Sequence, residues 1–126
     1  MPLARTTAWL QPVLSRLPAT IRAVYVECSD VYTPAMEHVV CFNAFGFESL
    51  GGGHFDASKP EHIGELGDFT WEPSDECRFR ADDHPRVNWM ALLQEAARSP
   101  GVLTLATERN IQFVVGEHDG NVVVVR

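Results

Sequence analysis

The sequence is poor in the patterns that usually announce a chemistry. Its three cysteines, Cys28, Cys41 and Cys77, are an odd number at wide spacings, with no C-x-x-C pair. That removes the zinc-ribbon and thioredoxin-like readings. Lysine is nearly missing, with Lys59 alone beside nine arginines, so few candidates exist for a Schiff-base or phosphate-binding lysine. No apolar run approaches the roughly 18 residues that span a bilayer. The opening stretch is broken by Thr6, Thr7, Gln11 and Pro12 and lacks a small-residue cleavage site, unlike a signal peptide. Free thiols suit a reducing compartment, and the expected location is cytoplasmic.

Positive charge is scarce as well. Ten basic residues face 17 acidic ones, a formal charge of −7 over 126 residues. Such a balance disfavours general binding to nucleic acid and to anionic lipid surfaces. A chain this long forms one core without needing a disulfide or metal staple. Residues 1–126 are therefore expected to make a single globular domain.

Apolar periodicity supplies the elements. Leu3, Trp9, Leu10, Val13, Leu14 and Leu17 stand near helical spacing. Pro12 predicts either a kink or a helix that begins there, because proline lacks the N–H and clashes with the preceding turn. Residues 21–28 alternate and are rich in β-branched side chains, a strand pattern. Residues 34–50 mix a helix-start signal at Thr33-Pro34 with strand residues, and a strand over about 38–48 is the favoured reading. Asp82-Asp83-His84-Pro85 offers capping carboxylates and an N1 proline, predicting a helix to about Arg98 that Ser99-Pro100-Gly101 stops. A short strand is expected around Val102–Ala106. Two further strands, 111–115 and 122–125, flank a turn containing Asp119-Gly120, the clearest hairpin signal in the chain. The expected fold is α+β, a mainly antiparallel sheet covered by one or two helices, with a long acidic loop-rich segment over residues 51–84.

The charge is concentrated. Between His54 and His84 lie nine acids against three bases, so this quarter of the chain carries −6 of the total −7. The acids are Asp56, Glu61, Glu65, Asp68, Glu72, Asp75, Glu76, Asp82 and Asp83, and Trp71 stands among them. A solvated insertion would have this composition. So would a recognition surface, in which carboxylates steer a basic partner and aromatics anchor it.

Other candidate chemistry is thin. His54, Asp56, His62 and Glu65 have ligand-type side chains, but Gly64 weakens any helix there and H-E-x-x-H is absent. Gly51-Gly52-Gly53 is followed by neither a Lys-Ser/Thr pair nor a second spaced glycine, so a flexible turn explains it better than a phosphate loop. Ser49 misses the G-x-S-x-G elbow by one position. Cys28 and Cys41 read as small buried hydrophobes, and His38 and Cys41 should face opposite sides of their strand.

The sequence thus favours a non-enzymatic module without catalytic residues, metal or other cofactor, one that engages a basic protein partner through acidic residues and Trp71. A bacterial immunity or antitoxin-like inhibitor of a toxin or effector is one concrete form. The alternatives are a metal-dependent enzyme using His54, Asp56, His62 and Glu65, and a small-molecule sensor with an aromatic pocket of Phe42, Phe45, Phe47 and Trp89.

Overall fold

The structure, a computed structural model, describes residues 1–48, 69–71, 77–118 and 120–126. Helix α1 (Pro2–Ser15) places Thr6, Trp9, Leu10, Val13 and Leu14 on its buried face. It runs through Pro12. The carbonyl released there is that of Ala8, an exposed residue, so water can satisfy it. A proline inside a helix costs about 3 kcal/mol, and the four large buried apolar side chains of this face exceed that cost at about 1.5–3 kcal/mol each.

Strand β1 (Ala23–Tyr32) turns back into β2 (His38–Phe47), with Ala23 opposite Phe47 and Tyr32 opposite His38. Two short strands, β3 (Phe69–Thr70) and β4 (Arg78–Arg80), add to the outer edge of β2 at different heights. A 3-10 turn (Ala81–Asp83) leads towards α2 (Trp89–Ala97) and α3 (Pro100–Glu108). Strand β5 (Gln112–Glu117) then returns beside β1, parallel to it, and β6 (Val122–Val124) closes the order β3–β2–β1–β5–β6. The fold is α+β, with three helices among the described residues packed on a mixed, mostly antiparallel sheet.

Strand alternation divides the core. Val24, Val26, Val40, Phe42, Ala44, Phe113 and Val115 face the helices and meet Trp9, Leu10, Leu93 and Val102 in the main cluster. Phe42 sits at its centre, with ring centroids 6.4 Å from Trp9, 6.0 Å from Phe79 and 6.5 Å from Trp89. The opposite face gathers Ala23, Tyr25, Phe45, Phe47 and Val114 in a second cluster. The expected aromatic pocket of Phe42, Phe45, Phe47 and Trp89 is therefore split, because Phe42 and Trp89 belong to one face and Phe45 and Phe47 to the other.

Two expectations for the C-terminal half are corrected. Residues 102–106 are helical, not extended: Pro100 opens α3 as its first residue instead of ending α2's neighbourhood, and Val102 and Ala106, four apart, share the buried face. Helix α2 starts later than Asp82-Asp83 suggested. Asn88 caps it, its Oδ1 accepting the Ala91 N–H at 3.0 Å, while Asp82 and Asp83 lie in the 3-10 turn.

Candidate functional site

Because β1 and β5 are parallel and Cys28 pairs with Glu117, both strands reach their carboxyl ends at the same level. Helix α2 begins beside that point. Together they border an open cleft of about 370 Å³. Cys28 lies at its base, Asp30 and Glu117 bring carboxylates from the two strands, and Trp89 and Met90 form an apolar wall. None of the described lining residues is Lys or Arg.

The polar groups around it are held in place. Asp30 Oδ1 lies 2.7 Å from His38 Nε2 across the hairpin. The His38 ring stacks on Tyr32 with centroids 5.0 Å apart. On the other side of the sheet, His118 Nδ1 is 3.3 Å from Glu27 Oε1, and the His118 N–H donates to the Cys28 carbonyl at 3.0 Å. Burial, followed by the negative charges of Asp30 and Glu117, pushes the Cys28 thiol up to about 12. Buried and protonated, it packs as part of the main cluster. Burial also raises the Cys41 thiol, against the lowering influence of Arg78. Cys28 fits the reading as a small buried hydrophobe, whereas Cys41 is only half-buried and belongs to neither core cluster; the register puts His38 and Cys41 on opposite faces as expected.

Beyond the cleft the β1–β2 hairpin projects into solvent. Its loop is closed by Met36 N–H to Thr33 O at 2.8 Å and Thr33 N–H to Glu37 O at 3.0 Å, with Met36 at φ 62°. Three apolar side chains are left outside the core, Val31 at 45%, Tyr32 at 64% and Met36 at 75% exposure. Acidic groups adjoin them. Arg80 reaches Glu37 at 3.5 Å and Asp83 at 4.0 Å, tying the 3-10 turn to the hairpin loop.

Of the sequence-predicted partner-binding residues, Asp82 and Asp83 are exposed beside this hairpin. Trp71 is half-buried against the main cluster, its backbone N–H donating to the Ala44 carbonyl at 3.3 Å. Asp56, Glu61, Glu65, Asp68, Glu72, Asp75 and Glu76 lie outside the described residues, as do His54 and His62. Among the described residues no group of three or more His, Cys, Asp or Glu is placed to hold a metal ion, and no helix is long and apolar enough to cross a membrane. Asp30, Glu117, Tyr32 and Met36 were not anticipated. Asp30 lies beyond the strand expected over 21–28 and Glu117 falls between the two strands of the expected hairpin, and only the parallel pairing makes neighbours of them.

The described residues thus form an α+β fold with an acidic cleft at the ends of the one parallel strand pair among them. Compared with protein-family models, curated proteins and solved structures, the chain matches none.

Proposed function

We propose that this is a non-enzymatic binding protein that engages a basic protein partner, in the manner of a cytoplasmic bacterial immunity or antitoxin-like inhibitor. The observation that carries the reading is the hairpin end of the sheet, where exposed Tyr32, Met36 and Val31 are flanked in the chain by Asp30 and Glu37, and Arg80 links Glu37 to Asp83 of the 3-10 turn. Large apolar side chains exposed within an acidic surround combine an anchor with a steering field. The −6 carried by residues 54–84, Asp82 and Asp83 included, gives the chain a net charge of the sign that a basic partner requires. An inhibitor of a basic active site works by presenting carboxylates where substrate phosphates would sit, and it needs no catalytic constellation of its own.

The test is purification of the untagged protein from its native cells, identification of any stoichiometric companion, and a binding isotherm for that pair. A companion of basic pI whose binding weakens at least tenfold between 50 and 300 mM salt (about a 2.5-fold change in screening length) and on Asp82→Lys/Asp83→Lys supports the reading. A neutral or acidic companion, or one indifferent to both changes, overturns it.

A further inference from the structure

We propose that the cleft between the carboxyl ends of β1 and β5 is a socket for a single guanidinium or ammonium side chain, presented by the basic partner. The source of the cation rests on the function proposed above; the chemistry of the socket rests on the cleft itself.

Size comes first. Ligand pockets run from about 300 to 1,000 Å³, so a cleft of about 370 Å³ is at the small end. It matches one long side chain better than a nucleotide or a folded peptide segment. The sign of the charge follows from the walls. Asp30 and Glu117 bring two carboxylates, whereas the N-terminus of α2 offers about half a positive charge, which Asn88 already partly engages through its cap. His118 also lines the cleft and His38 pairs with Asp30; with both imidazoles neutral the balance is negative. The same field acts on Cys28, where Asp30 and Glu117 follow burial in opposing the thiolate; an anionic ligand would meet the same opposition.

The wall selects among cations. Trp89 and Met90 line the cleft and give the methylene stem of Arg or Lys an apolar surface to lie on. An indole is also the ring that most favours a nearby cation. A bare metal ion gains nothing from that wall. The contact between His38 and Asp30 at 2.7 Å fixes one carboxylate without filling the cleft, since His38 is not among its lining residues. His118, the remaining titratable side chain at the rim, is turned towards Glu27.

The experiment is an amide and indole N–H shift titration of the 15N-labelled full chain with N-acetyl-arginine amide. N-acetyl-norleucine amide and N-acetyl-glutamate amide serve as neutral and anionic controls. Saturable shifts at the Trp89 indole and at the amides of Asp30 and Glu117, seen with the arginine compound alone, are expected. Asp30→Asn/Glu117→Gln should weaken them at least tenfold, while Glu108→Gln, on the exposed end of α3, leaves them unchanged. No saturable shift at the cleft, equal shifts with norleucine amide, or indifference to the double variant overturns the socket.

The companion protein then identifies the source. A tenfold or greater loss of its affinity in Asp30→Asn/Glu117→Gln assigns the cation to the partner. An unchanged companion affinity, with arginine-amide binding abolished, overturns that assignment and leaves a socket for a free amine or guanidine. Failure of the broader reading shows differently, as a companion that is not basic or that ignores Asp82→Lys/Asp83→Lys.

Discussion

Cys28 and Glu117 are register partners across the parallel β1–β5 pair, and the carboxylate helps to keep the thiol protonated. Burial contributes most, then Asp30, then Glu117, raising the thiol from an ordinary value near 9 to about 12. The native state therefore binds this proton more tightly than the unfolded chain. Its contribution to stability is complete below about pH 9 and is lost as pH rises towards 12, at up to about 1.4 kcal/mol per pH unit. Chemical denaturation between pH 8 and 10.5 should show a steeper fall for the native sequence than for Cys28→Ala. At pH 8 the native protein should leave Cys28 unalkylated by iodoacetamide, as followed by peptide mass mapping.

Thr6 presents a different buried group. Its hydroxyl is fully enclosed on α1 and, among the described residues, is a buried side-chain oxygen with no hydrogen-bond partner. An unsatisfied hydroxyl in an apolar site costs about 1–3 kcal/mol. Valine has nearly the same shape without the oxygen. Thr6→Val should raise unfolding free energy by about 1 kcal/mol or more, measured as a higher urea midpoint with an unchanged slope. A lower midpoint would show that the hydroxyl is satisfied in solution.

Gly116 in β5 has no room for a side chain. A Cβ there would lie 2.9 Å from the Tyr25 hydroxyl oxygen and 3.0 Å from the backbone oxygen of Asn121. The first contact can yield by a shift of the tyrosine, but the second is main chain. Gly116→Ala should destabilise by about 1–3 kcal/mol, the usual range for overpacking. Tyr25 near-ultraviolet circular dichroism should change with it.

The hairpin residues should separate stability from binding. Tyr32 and Met36 are exposed and belong to neither core cluster, so Tyr32→Ala and Met36→Gly should each change stability by less than about 1 kcal/mol. Glycine also relieves the positive φ at position 36. If this end of the sheet is the binding surface, the pair should lower partner affinity by more than tenfold, mainly through faster dissociation in surface plasmon resonance. An unchanged dissociation rate would place the anchor elsewhere.

Much of the fold was legible where periodicity and turn chemistry agree. The strand expected over 38–48 is His38–Phe47, and the hairpin expected around Asp119-Gly120 is β5 with β6. Val102–Ala106 misled because a short apolar run has the same composition in a buried helix and a buried strand, and Pro100 can open a helix as readily as follow one. The cap of α2 was misplaced because Asp82-Asp83-Pro85 and Asn88 both carry start signals, and the sequence does not rank them. The cleft was illegible for a topological reason. Nothing local to Cys28–Asp30 or to Glu117 records that their strands run side by side in the same direction.

That pairing also bears on how the chain folds. β1 and β2 meet through a tight hairpin and can associate early, whereas the β1–β5 contact must close a loop from residue 28 to residue 117. Loop-closure entropy makes such a contact late. The two carboxylates come together only when that closure is made, so a chain arrested with its hairpin formed and β5 undocked would carry the exposed tip without the cleft.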